Sequence, residues 1–127
     1  MRKNVSSGSY LEPEIGFSRA VRIGNTIAVA GTAPIAADGG TDGVGDVYRQ
    51  TQRCIEIIEQ ALADAGASLG DVIRTRVMVT DISRWKEAAK AHGEAFGDIR
   101  PACTFVEVSG FVDPDWLVEL EADAVVE

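Results

Sequence analysis

The sequence predicts an α+β domain of order β-β-α-β-α-β-β, one mixed sheet with two helices on one face. Three observations predict it. Segments that alternate apolar and polar residues, the period of a half-buried strand, stand early in the chain, past its middle and at its end. Two segments between them repeat apolar residues every three to four positions, as a helix with one buried stripe does. With a single stripe each, both helices have to pack on the same side of the sheet. The length of 127 residues supports one core and not two, so residues 1–127 read as one domain.

The elements follow in order. "RAVRIGNTIAVAGTAPI" reads as two strands joined at Gly24-Asn25, a dipeptide suited to a tight turn. "AADGGTDGVGD" is a loop with four glycines and three aspartates. From about Asp46, a capping residue, to Gly66, a stopping residue, the pattern is helical, with Cys54, Ile55, Ile58, Ala61, Leu62 and Ala65 on its stripe. "DVIRTRVMVTD" alternates, with Ile73, Thr75, Val77 and Val79 on one face and Arg74, Arg76 and Met78 on the other. Asp81 or Ser83 can cap a second helix, on which Trp85, Ala88, Ala89, His92 and Phe96 share a face and which Gly97 ends. "ACTFVEV" and "WLVELEADAVV" close the chain as strands on either side of the turn-like "SGFVDPD". In the last strand Glu119, Glu121 and Asp123 fall on one face, Val118, Leu120, Ala122 and Ala124 on the other. The two ends of the chain look loosely organised.

Composition removes several function classes. The net charge is −8 and the basic residues are scattered, which leaves no positive footprint for nucleic acid and disfavours anionic membranes. No stretch approaches the roughly 18 consecutive apolar residues of a membrane span, and the first twenty residues lack a secretory h-region. Two cysteines far apart in sequence, Cys54 and Cys103, suit a reduced cytoplasmic protein. One histidine, no paired cysteines and aspartates without the spacing of a calcium loop predict no metal, and nothing predicts a cofactor. The glycine-rich loop lacks the Lys-Ser/Thr of a phosphate loop. His92 reads as a packed histidine and Cys103 as an inert thiol. The sheet face without helices carries apolar residues, arginines and the row of acids, a mixture that packing in a symmetric oligomer would satisfy. Two candidates remain: Arg100, held by Pro101 toward extended geometry, and Glu119 in the acid row.

With this element order in place, "IGNTIAVAGTAPI", "GDVIRTRVMVTDI", "RPACTFVEV" and "VELEADAVV" resemble the RidA (YjgF/YER057c/UK114) family over most of residues 15–126. The resemblance implies a chorismate-mutase-like fold, a homotrimer with clefts between subunits, and a small carboxylate-bearing metabolite as ligand. It further implies hydrolysis of reactive enamines or imines, such as 2-aminoacrylate, to a 2-keto acid and ammonia. Carried over by residue, the family's glutamate that positions the attacking water is Glu119, and its cleft glycine is Gly31, followed by Thr32. The family's carboxylate-gripping arginine falls on Cys103, its tyrosine on Phe17 and the serine before the glycine on Ala30. The chain therefore resembles an arginine-lacking subgroup. A bend at Pro101 would let Arg100 reach the cleft mouth and supply the missing anchor. The alternative is a trimer that binds or senses a metabolite without catalysis. Older family labels, endoribonuclease and translation inhibitor, sit badly with the acidic balance. Glu121 and Asp123 are expected to meet arginines such as Arg74 and Arg76.

Overall fold

The computed structural model describes residues 1–127. Six strands and three helices follow one another as β1 (Arg2–Val5), α1 (Leu11–Ile15), β2 (Ala20–Ile23), β3 (Thr26–Thr32), α2 (Val47–Asp64), β4 (Val72–Val79), α3 (Trp85–Phe96), β5 (Ala102–Glu107) and β6 (Val118–Val125). They form one sheet of order β1-β2-β3-β6-β4-β5. Only β4 and β5 are parallel neighbours, joined by a crossover through α3; the other neighbouring pairs are antiparallel. The last strand thus runs down the middle of the sheet, between β3 and β4.

The expected five strands and two long helices are present, with the mixed sheet and the helices on one side. Ile27, Val29, Val77, Val79, Val118 and Leu120 point from the sheet into a core shared with Cys54, Ile58 and Leu62 of α2 and Ala88 and Phe96 of α3. Each large side chain buried there contributes about 1.5–3 kcal/mol. Asp46 caps α2 as expected, its carboxylate accepting from the Arg49 amide at 3.0 Å, and Gly66 follows the helix with φ 84°. The hairpin between β2 and β3 turns at Gly24-Asn25, with Ile23 paired to Thr26.

Four differences from expectation have physical causes. The N-terminal end is ordered: β1 adds to the edge of β2, and α1 follows it. Ile73 does not join the core. A bulge takes the register from Val72↔Ala124 to Arg74↔Asp123, so Val72 is buried and Ile73 is 54% exposed. Trp85 stands at the first turn of α3 edge-on to Phe105 and remains 45% exposed. Finally, Gly97 keeps helical angles (φ −57°, ψ −33°), and the reversal falls on Arg100, at φ 56° in the left-handed region instead of extended geometry. The Arg100 amide bonds back to the Phe96 carbonyl at 2.8 Å, so closing the helix overrides the preference imposed by Pro101.

Candidate functional site

The acid row divides when its cross-strand partners are read off the register. Asp123 lies opposite Arg74 and is 3.9 Å from its guanidinium. Glu121 lies opposite Arg76 and forms an ion pair with it. Glu119 lies opposite Met78 and has no cation within salt-bridge distance. Two acids of the row are therefore neutralised by their neighbours within the chain, as expected, and the third is not.

Glu119 owes its place to Gly31. The pairing of β3 with β6 slips between Val29 and Thr32, and the bulge brings Gly31 under the Glu119 carboxylate. A β-carbon built on Gly31 would stand 3.2 Å from Glu119 Oε1. Burial raises the pKa of Glu119 above the usual carboxylate range, and the Arg19 charge pulls partly against it. A half-buried carboxylate held so, with no cation within ion-pair distance, is suited to taking and returning a proton.

The other residues carried over from the family distribute around this centre unevenly. Phe17 and Ala30 share an open recess on the outer face with Ser18 and Ala28. The Phe17 ring lies 5.2 Å from the Arg19 guanidinium carbon. Thr32 pairs with Leu120, and its side chain is buried on the helix side, where the hydroxyl donates to the Ala30 carbonyl at 2.7 Å. Its side chain is thus turned away from the outer face. Cys103 pairs with Thr75, whose hydroxyl meets His92 of α3 at 2.8 Å. Directly paired residues project to one side, so Cys103 points to the helix side, opposite Glu119 across the sheet. Arg100 is exposed beyond the end of α3, and its side chain makes no ion pair within the chain. Within the chain, neither Cys103 nor Arg100 joins Glu119.

His92 is the packed histidine the sequence suggests: burial lowers its pKa, and its ring lies 4.7 Å from Phe96. No group of three His, Cys, Asp or Glu side chains is placed to hold a metal ion.

Two buried charges were missed by sequence reasoning. Arg19 is 4% exposed and Glu12 is 5% exposed. The Glu12 carboxylate accepts from the Ser7 hydroxyl at 2.8 Å and from the Ser7 and Ser9 amides at 3.1 and 3.3 Å. Burial pushes Glu12 up, but these bonds, with Ser6 and the Arg19 charge, outweigh it and hold its pKa below the usual range. Arg19 donates to the Gly31 carbonyl at 2.6 Å and to the Thr32 hydroxyl at 3.2 Å, which pins the bulge beneath Glu119. One signal was available: Ser9-Tyr10-Leu11-Glu12 has the Ser-x-x-Glu spacing of a capping box.

The structure thus defines a class: an α+β protein with a six-stranded mixed sheet, helices on one face, and a carboxylate presented over a glycine bulge on the other. Residues 8–126 match the family model described as endoribonuclease L-PSP, and the chain belongs to this family, the YjgF/RidA family of the sequence resemblance. A solved structure of a Mycobacterium tuberculosis member of the YjgF/YER057c/UK114 family is 51% identical, with a TM-score of 0.89 over 99% of this chain and 100% of that one. A RutC family protein of Pyrococcus abyssi is 40% identical over 111 residues, 87% of each chain. The 3-aminoacrylate deaminase RutC of Acinetobacter baylyi is 33% identical over 114 residues, 90% of each chain.

Proposed function

We propose that this chain hydrolyses small enamine or imine metabolites bearing a carboxylate, with Glu119 as the group that positions and deprotonates water. The observation that carries the reading is the isolation of Glu119: alone in its row it lacks an arginine, lies over Gly31 and has a raised pKa. The name of the Acinetobacter baylyi relative, an aminoacrylate deaminase, supports the same chemistry. An enamine tautomerises to its imine; Glu119 takes a proton from water as the hydroxyl adds to the C=N carbon. It passes that proton to the nitrogen, giving a carbinolamine. Glu119 then takes the carbinol hydroxyl proton as the C=O bond forms and the C–N bond breaks, and delivers it to the departing nitrogen, which leaves as ammonia.

The reading includes a homotrimer whose clefts lie between subunits, and a cytoplasmic setting for its two unpaired thiols. Phe17, Ala30, Gly31 and Thr32 line the Glu119 side of such a cleft, Thr32 through its backbone. Cys103 and the exposed Arg100 come from a neighbouring copy, with Arg100 meeting the substrate carboxylate that a thiol at Cys103 cannot grip. A second reading, metabolite binding without turnover, is favoured by one observation: the positions of the family's arginine and tyrosine hold Cys103 and Phe17.

Keto-acid release from imines generated in situ separates the two. Acceleration by the protein that disappears in Glu119→Gln supports hydrolysis. Saturable ligand binding with no acceleration, equal in the protein and Glu119→Gln, supports binding alone.

A further inference from the structure

On the helix side of the sheet, behind the bulge, lies a cavity of about 170 Å³. The Ser7–Ser9 segment, the Thr32–Gly39 segment and the flank of α2 border it and leave one side open, with Arg19 and Arg53 in its wall. At about 30 Å³ per water molecule, it holds some five or six water-sized groups. No acidic residue lines it, although acids outnumber bases by 20 to 12 in the chain.

The two arginines are only partly satisfied. Arg19 spends Nε on the Ser7 hydroxyl at 3.3 Å and Nη1 on Gly31 and Thr32, all neutral acceptors. No carboxylate lies within ion-pair distance of it; the charges of Glu12, which shares the Ser7 hydroxyl with it, and of Glu119 act on it from further off. Nη2 of Arg19 has no protein partner. Since no buried polar side-chain atom lacks one, Nη2 borders open space, and the open space that Arg19 lines is this cavity. Arg53 gives Nε to the Ile35 carbonyl at 2.8 Å and Nη1 to Glu56 at 3.4 Å, which leaves its Nη2 unbonded. A buried guanidinium without a direct counterion is costly, and an anion in the cavity would offset that cost.

We propose that this cavity is a binding site for a short-chain aliphatic carboxylate, its oxygens held between Arg19 and Arg53 and its hydrocarbon end against Ala33, Ile35, Ala36 and Ile57. Two guanidiniums meet a carboxylate through paired, charge-assisted bonds, and the Ser9 hydroxyl, which accepts from the Leu11 amide and keeps its own proton free, supplies a further donor; the Ser7 and Thr32 hydroxyl protons are spent on Glu12 and the Ala30 carbonyl. The apolar wall favours a ligand with a short tail over bare phosphate. Glu119 lies outside the lining, so the site stands apart from the proposed hydrolytic centre.

Propionate and inorganic phosphate are the probes, titrated against the full chain by calorimetry and by amide shifts. The expected result is saturable propionate binding that shifts amides of Ser7–Ser9 and Ala33–Ala37. It weakens roughly tenfold or more in Arg53→Gln, where the lost bonds are charge-assisted, and is unchanged in Glu119→Gln. Arg19→Gln, if it folds, abolishes binding; Arg53, half-buried on α2, carries the test if it does not. Phosphate binding as tight as propionate would overturn the carboxylate assignment. Binding lost in Glu119→Gln and kept in Arg53→Gln would place the ligand in the cleft and overturn the site, as would the absence of saturable binding.

Discussion

The Glu119 carboxylate occupies space that a side chain on Gly31 would need: a β-carbon there would stand 3.2 Å from Oε1. Gly31 is in turn fixed from behind, its carbonyl 2.6 Å from the buried Arg19 guanidinium. Glycine is required here by close approach and not by a left-handed φ, since Gly31 is absent from the positive-φ residues. One backbone bulge thus couples a buried cation to an uncompensated carboxylate.

Gly31→Ala tests that coupling. The atom that has to move is the end of a flexible side chain, so the stability loss is expected to be small, about 1 kcal/mol or less in a denaturant titration. Keto-acid release is expected to fall by about 3- to 10-fold, since the carboxylate must shift by only a fraction of the ångström that costs a reacting group about 100-fold. Full activity in a folded Gly31→Ala protein would show that the placement of Glu119 is immaterial.

Stability against pH follows from the direction of the Glu119 shift. Its folded pKa lies above the ordinary value of 4.5, so the folded state binds the proton more tightly than the unfolded chain. The protonated form is therefore favoured by folding at low pH. That contribution is lost as pH rises from about 4.5 through the folded pKa. Glu119→Gln removes the loss, so the variant gains stability relative to the parent as pH increases through that window, while losing activity. A parent that instead outpaces the variant as pH rises would mean that Glu119 has a fixed cationic partner.

Arg100 holds φ 56°, a conformation that costs a non-glycine residue roughly 1 kcal/mol. Arg100→Gly should raise the unfolding free energy by somewhat less than that amount, because glycine adopts the angle freely but loses more backbone entropy on folding. If the guanidinium also anchors substrate across a subunit boundary, KM rises at the same time. A more stable protein with an unchanged KM would remove Arg100 from the site and leave only the helix-closing role.

The thiols should separate cleanly. Burial pushes the Cys54 thiol well above its ordinary pKa, whereas Cys103 is exposed. A thiol reagent at neutral pH is expected to modify one cysteine in the native protein and two after unfolding. Two fast equivalents in the native state would contradict the packing of α2 on β6.

How much of this was legible in the sequence depended on whether a feature is local. The long helices and five strands announce themselves by period, because one face of each must be buried whatever its neighbours are. β1 carries no such signal: in "RKNV" only Val5 is buried, and the strand exists by pairing with β2. The bulge that exposes Ile73 and the left-handed Arg100 arise from strand register and helix closure, which no composition rule reports. The row of acids was visible, and so was the expectation that Glu121 and Asp123 meet Arg74 and Arg76; that Glu119 lies opposite Met78 and stays unpaired follows only from the alignment of β6 with β4. Arg19 and Glu12 did not stand out in the sequence because their partners, Gly31 and Ser7, come together with them only through the sheet edge and α1.

The most direct test of the account compares the three acids in one assay, measuring keto-acid release from imines generated in situ. Glu119→Gln should lose about 10²–10⁴-fold, the usual worth of a general base, whereas Glu121→Gln and Asp123→Asn should stay within a few-fold of the parent. Equal losses in all three, or none in Glu119→Gln, would contradict the claim that the one unpaired carboxylate carries the chemistry.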